Sequence, residues 1–115
     1  MELVYLSSKF GSQDEKLQQR ARQLAHQLGR RFISRHREDC LTGHIQDRHI
    51  VFAPVHDHAS ALAVVGLSQE AFGIFLYSDN PRSMREYEKI DRVKVVGPID
   101  CHRHLARVAQ RLLER

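Results

Sequence analysis

The alternation of apolar and polar residues divides the chain into strand-like and helix-like segments. Runs rich in β-branched and aromatic residues predict strands at 2–6, 31–37, 49–55, 72–77 and 92–96. The runs at 49–55 and 72–77 are apolar on both faces, which is typical of strands in the middle of a sheet. Apolar residues three and four positions apart predict a helix at 17–28 and another after residue 100.

The predicted helices carry start and stop signals. Ser12 and Glu15 have the spacing of a capping box, and Gly29 suits the end of the same helix. Asp100 is a good cap for the last helix. The segment 59–67 fits either a short helix or a buried strand, and Asp57 before its alanine-rich stretch favours a helix.

The elements follow one another as strand, helix, two strands, the short 59–67 segment, two strands and helix. We therefore predict an α+β or small α/β fold. Residues 1–115 are expected to form a single two-layer domain, with a four- to five-stranded sheet and an amphipathic helix from each end of the chain packed on it. The first strand–helix–strand unit is expected to be parallel, and the strand order stays open. Residues 78–84 are predicted to be a turn-rich connection, followed at 84–90 by one or two helical turns.

Composition places the chain among ordinary globular proteins. It has 115 residues, of which 42% are hydrophobic and 28% charged, so it is long enough to bury one core without disulfides or metal. The start of the chain lacks a signal-peptide pattern, and no apolar run approaches the roughly 20 residues that span a bilayer. We expect a soluble cytoplasmic protein that does not enter membranes. Cys40 and Cys101 are expected to be free thiols.

The sequence lacks the short motifs that mark common enzyme classes. It contains no glycine-rich phosphate loop, no Gly-x-Gly-x-x-Gly, no Gly-x-Ser-x-Gly and no Cys-x-x-Cys pair. These absences favour a protein without catalytic activity, although they leave enzyme function undecided. The chain carries the motifs of no family that we recognise.

Eight histidines raise the question of a metal site. His56, Asp57 and His58 come directly after the predicted central strand at 49–55. If the chain stays extended there, the two imidazoles point the same way and could chelate zinc or another divalent transition metal beside the Asp57 carboxylate. Three further side chains could complete the ligand set: Cys40, His44 and His49. A small metal-dependent enzyme is therefore the alternative function, and a solvated loop is the reading we favour for these residues.

The second His-x-His pair, His102 and His104, lies in the predicted last helix directly after Cys101. Residues two apart on a helix point in different directions, so this pair cannot hold one metal ion. Cys101 lies on the apolar stripe of that helix and is expected to be a buried structural cysteine. Whether Cys40 or Cys101 is reactive stays open.

Arginine provides most of the positive charge in a chain of formal net charge +4. Arg31, Arg35 and Arg37 share one face of the predicted strand at 31–37, where they could hold a phosphate or a carboxylate-rich partner or guard an exposed sheet edge. We therefore favour a non-enzymatic binding or regulatory module. It would contact an anionic ligand or a protein partner through these arginines or through the loop after the central strand. Nucleic acid and a second copy of the chain also remain open as partners.

Overall fold

Five parallel strands form the centre of the protein. The computed structural model describes residues 1–8, 15–41, 43–98 and 102–114. The strands are β1 (Glu2–Ser7), β2 (Arg31–His36), β3 (His49–Pro54), β4 (Gly73–Tyr77) and β5 (Val93–Val96). The helices are α1 (Glu15–Gln27), α2 (His58–Leu67), α3 (His102–Leu113) and two 3₁₀ helices, Arg37–Asp39 and Pro81–Lys89.

The strand order is β2-β1-β3-β4-β5, and each neighbouring pair is parallel. From β1 the chain moves outward to β2, and it then returns to β3 on the other side of β1 before continuing to β4 and β5. The order of the strands therefore reverses at β1. This is the doubly wound arrangement with the flavodoxin-like order, in which connections leave adjacent strands in opposite directions.

The predicted fold class is confirmed: the protein is a mixed α/β protein with a five-stranded sheet. Helices α1 and α3 pack on one face of the sheet, where Leu24 and Leu105 join Phe52 in one core cluster. The other face is also covered, by α2, by the 37–48 connection and by the Pro81–Lys89 helix. The protein therefore has three layers, one more than the two that the sequence predicted. None of the helices in the described parts of the chain is long and apolar enough to cross a membrane.

The segment that fitted either helix or strand is helix α2, and hydrogen bonds at its start explain why. The Asp57 carboxylate accepts a hydrogen bond from the Ser60 N–H at 2.8 Å, and the Ser60 hydroxyl oxygen accepts one from the Asp57 N–H at 3.1 Å. This reciprocal capping box satisfies two N–H groups that a helix start leaves free. Gly29 follows α1 with a positive φ of 65°, as its predicted role requires. The predicted cap residues Ser12 and Asp100 lie outside the described residues.

The described residues of the connection between β2 and β3 form no α-helix. It begins with the 3₁₀ helix Arg37–Asp39 and is anchored by Cys40 and Ile45, which are buried in the core beneath it. Burial raises the pKa of the Cys40 thiol, which is free. Cys40 is therefore a packing residue and a poor nucleophile at neutral pH.

Two glycines provide a matched test of packing. A Cβ at the buried Gly97 would lie 2.8 Å from Cγ of Pro81, whereas a Cβ at the exposed Gly66 in α2 would meet nothing within 4 Å. We expect Gly97→Ala to lower the free energy of unfolding by about 1–3 kcal/mol, because the ring of Pro81 must move. Gly66→Ala should raise it by about 0.5–1 kcal/mol, because alanine favours the helix. Urea denaturation measures both changes, and a Gly97→Ala variant as stable as the wild type would contradict the close approach.

His49 at the start of β3 predicts a pH-dependent stability. The residue is 4% exposed, and Nδ1 of its ring accepts a hydrogen bond from the Gln46 N–H at 2.9 Å. Burial lowers the pKa of His49 below its ordinary value of 6.5; Arg48 lowers it further, and Glu2 opposes the shift. As the pH falls, His49 is therefore protonated at a higher pH in the unfolded chain than in the folded protein. The stabilisation by neutral His49 is full above pH 6.5 and is lost as the pH falls toward the pKa of the folded protein.

Urea denaturation between pH 7 and pH 5 tests this expectation. His49→Asn, which keeps a hydrogen-bond acceptor on a short side chain, should lose stability less steeply than the wild type as the pH falls. His26→Asn is the control, because His26 is exposed on α1 and its replacement should leave the slope unchanged. Equal slopes for His49→Asn and the wild type would show that His49 does not cause the pH dependence.

Candidate functional site

A cleft of about 350 Å³ lies at the carboxyl ends of the strands, where the strand order reverses. Side chains from four strand ends line it: Ser7 at the end of β1, His36 at the end of β2, His56 after β3 and Asp79 after β4. In open α/β sheets, ligands bind in this place because the connections diverge to opposite faces and leave a crevice between them. The volume falls within the range of about 300–1,000 Å³ that is usual for small-molecule sites.

Arg37 places a positive charge in the wall of the cleft. Its Nη2 donates hydrogen bonds to the carbonyl oxygens of Pro54 at 2.7 Å and Leu6 at 3.4 Å, and so connects the ends of β3 and β1. Burial lowers the pKa of Arg37, but a guanidinium still remains charged at neutral pH. Its Nε is buried and has no hydrogen-bond partner among the described residues. The Nε–H of this cation is therefore unused by the described residues.

Hydroxyl and imidazole groups form the wall on the β1–β2 side. Ser7 Oγ lies 3.1 Å from Nδ1 of His36, and either atom can be the donor, depending on the tautomer of the ring. Ser8 Oγ donates to Oε1 of Glu38 at 2.6 Å. This wall can donate hydrogen bonds to an anionic ligand and accept them from a hydroxyl or amine group.

Two carboxylates also line the cleft. Glu15 comes from the start of α1, and Asp79 follows β4 on the other side. The cleft is therefore mixed in charge: the guanidinium of Arg37 attracts an anionic group, while these two carboxylates repel a second one. The lining suits a ligand with one anionic group and an uncharged, hydrogen-bonding remainder.

The structure gives the three residues of the predicted metal site three different surroundings. His56 is exposed and lines the cleft, whereas Asp57 caps α2. His58 is the first residue of α2, and its Nδ1 lies 2.9 Å from the hydroxyl of Tyr87 and 3.1 Å from Oε1 of Glu86. The chain turns into a helix here, so the extended geometry that would align the two imidazoles is absent.

The other suggested ligands do not complete a metal site either. Cys40 is buried in the core, Nδ1 of His44 accepts a hydrogen bond from the Leu41 N–H at 3.0 Å, and His49 lies at the opposite end of β3 from His56. Among residues 1–8, 15–41, 43–98 and 102–114, no three His, Cys, Asp or Glu side chains are arranged to hold a metal ion. Cys101 and the side chain of His102 lie outside the described part of the chain.

The predicted arginine group is divided as well. Arg31 and Arg35 are exposed on β2, which is an edge strand paired only with β1. Arg31 and Arg35 point to the same side of the strand as Ile33, whose side chain packs on the sheet face opposite α1. Arg37 lies beyond the end of β2, and its guanidinium reaches the cleft. The sheet edge therefore keeps two of the three arginines, in a position that also suits protection of an exposed edge.

Several residues of the cleft were missed by sequence reasoning, among them Ser7, Asp79 and the ring of Tyr77. Ser7 is far from Tyr77 and Asp79 in sequence, and they meet because β1 and β4 are both parallel to β3. Each of them stands at the end of a strand or within two residues of it. That position was the available signal, but it becomes informative only once the parallel strand order is known.

The fold and the cleft define a doubly wound α/β protein with a polar crevice at the point where the strand order reverses. No protein-family model matches the chain, and no curated protein sequence matches it significantly. Among solved structures, the chain is similar to the regulatory domain of the master biofilm regulator CsgD, with a TM-score of 0.59 and 14% identity over 98% of this chain and 88% of that one. It is also similar to a de novo designed Rossmann-fold protein, with a TM-score of 0.40 and 16% identity over the full length of both chains. At these identities, the similarity to the CsgD domain concerns the fold alone.

The capping role of Asp57 leads to a test that separates it from metal binding. Hydrogen bonding from the backbone N–H of Ser60 lowers the pKa of the Asp57 carboxyl, so the carboxylate stays charged and bound to the helix start at neutral pH. We expect Asp57→Ala to lower the thermal midpoint of unfolding. Asp57→Ser keeps a capping oxygen and should lower the midpoint much less. Circular dichroism melts measure both. Equal destabilisation by the two substitutions would mean that the cap is not what Asp57 provides.

Proposed function

We propose that this protein is a non-enzymatic binding module of regulatory type, which binds a small anionic ligand in the cleft at the carboxyl ends of β1, β2 and β3. The observation that carries the proposal is the guanidinium of Arg37, which lines the cleft and is fixed there by hydrogen bonds from Nη2 to the carbonyl oxygens of Leu6 and Pro54. A cation that the protein already holds in place loses little conformational entropy when it binds an anion.

The charges around the cleft narrow the chemistry of the ligand. A phosphate or carboxylate would accept hydrogen bonds from Arg37 and from His36 or His56, which stand on the same cleft. Glu15 and Asp79 would accept hydrogen bonds from hydroxyl or amine groups elsewhere on the ligand. The expected ligand is a small molecule with one anionic group and further hydroxyl or amine groups, and molecules with several anionic groups should bind less well.

The way the cleft is built supports the proposed regulatory role. The residues around it belong to connections that lead to both faces of the sheet: Arg37 begins the 37–48 connection, and His56 precedes α2. A ligand that contacts both would fix these two segments relative to each other and so change the surface offered to a protein partner. The fold shared with the CsgD regulatory domain supports this role only to the extent that the same architecture serves regulation elsewhere.

Titration of ¹⁵N-labelled protein with inorganic phosphate and with glycerol 3-phosphate tests the proposal. We expect saturable shifts of the backbone amides around Ser7, His36, Arg37 and His56, with glycerol 3-phosphate binding more tightly because its hydroxyls reach the carboxylates. His56→Ala should weaken binding by about 2–10-fold, the value of one neutral hydrogen bond. Arg37→Gln should weaken it by about 10–100-fold, because a charged partner is lost.

His26→Ala is the matched control, since His26 is exposed on α1 and does not line the cleft. Arg37→Gln also removes hydrogen bonds to the Leu6 and Pro54 carbonyls, so its spectrum must first show an intact fold. His56 donates no such bond from its ring, which makes His56→Ala the cleaner variant. The proposal fails if neither probe gives saturable shifts, or if the shifts centre on Arg31 and Arg35 at the sheet edge.

A further inference from the structure

The outer surface of α1 and α3 carries a concentration of positive charge that the cleft does not use. Both helices pack on the same face of the sheet, through Ala21 and Leu24 on α1 and through Leu105 and Ala109 on α3. Their outward surfaces therefore form one continuous layer, which we call the α1/α3 face. The two helices contribute four exposed cations to it, Lys16, Arg22, Arg107 and Arg111, and the half-buried Arg20 lies at its border.

These cations outnumber the described acids beside them, and none of them forms an ion pair with another described residue. Glu15 at the start of α1 and Glu114 after the end of α3 are the described acids of these two elements. The ion pairs formed by arginines of the described residues lie elsewhere: Arg48–Glu2, Arg85–Glu88 and Arg92–Asp91. Unpaired like charges in one layer repel each other, so an anionic partner would relieve a repulsion that the fold leaves in place.

One of the cations is held in position for such a partner. The guanidinium of Arg22 lies over the ring of Phe32, with 4.5 Å between Cζ and the ring centroid. Stacking on an aromatic ring fixes the plane of a guanidinium while leaving its N–H groups available at the edge. Less conformational entropy is therefore lost when these N–H groups bind an anion.

The rest of the face indicates which polyanion it fits. Between the cations stand exposed amides and imidazoles, and none of the large exposed apolar residues of the described chain (Met1, Leu41, Leu62 and Ile90) belongs to α1 or α3. The centre of a protein–protein interface requires aromatic or aliphatic anchors, and a site for single-stranded nucleic acid requires aromatic rings for stacking. A surface of arginine, lysine and glutamine matches the side chains that contact the phosphates of a duplex.

We propose that the α1/α3 face binds the phosphate backbone of duplex nucleic acid without selecting a base sequence. Arg107 and Arg111 stand one helical turn apart, about 6 Å along the axis of α3, and so do Lys16 and Arg20 on α1. The two helices thus offer two rows of donors to the backbone. This function is separate from ligand binding in the cleft, and either can fail without the other.

Binding of a fluorescein-labelled 20-base-pair DNA duplex of mixed sequence, followed by anisotropy, tests the proposal. If the four exposed cations Lys16, Arg22, Arg107 and Arg111 neutralise four phosphates, affinity should fall roughly 150-fold between 50 and 200 mM salt. Arg107→Gln/Arg111→Gln should weaken binding and reduce the slope of log K against log salt by about 1.8. A second duplex of unrelated sequence should bind equally well.

Arg31→Gln/Arg35→Gln is the matched control, since it removes the same charge from the exposed sheet edge and should leave the salt slope unchanged. His56→Ala should also bind the duplex normally, which separates this face from the cleft. The proposal is overturned if the duplex does not bind at 50 mM salt or if both double variants weaken binding equally. It is also overturned if single-stranded DNA of the same sequence binds more tightly, or if polyglutamate of equal charge displaces the duplex as effectively as unlabelled duplex does.

Discussion

The parallel pairing of β1 with both β2 and β3 is the constraint on which the rest of the structure depends. Glu2 is in register with Arg31 on one side and with His49 on the other, so β1 is hydrogen-bonded along both edges. Parallel neighbours require crossover connections, and those from β1 and β3 run in opposite directions along the sheet. Because of this pairing, the connections cover both faces of the sheet, and the cleft lies between the strand ends where they diverge.

Local sequence was enough to predict most of the elements. The two-faced apolar runs became the central strands β3 and β4, and the stripe from Leu17 to Leu28 became the buried side of α1, because these patterns depend on periodicity alone. The segment that fitted either helix or strand is a helix, and the Asp57 carboxylate caps it by accepting a hydrogen bond from the N–H of Ser60, three residues further on. The Pro81–Lys89 helix was only partly anticipated, since its place is set by burial of Met84 and Tyr87 against a face that sequence could not locate.

The candidate site was harder to predict for a physical reason. Its side chains come from four strand ends, and strand order is a long-range property that no local pattern contains. His56 was singled out for its spacing to His58, yet α2 begins at His58 and gives the two rings different surroundings. Arg37 was grouped with Arg31 and Arg35 because the strand was expected to run one residue further than β2 does. A shift of one residue at a strand end was enough to move a guanidinium from the sheet edge into the cleft.

The contact between Gly97 and Pro81 joins the exit of β5 to the start of the Pro81–Lys89 helix, two residues after Asp79 in the cleft wall. The space for a methyl group at position 97 is filled by the proline ring. Over evolutionary time, a larger residue at 97 is therefore expected mainly where a smaller residue has replaced the proline at 81. A search of sequences for this paired change would recognise the same strand-end architecture even where the cleft residues themselves have diverged.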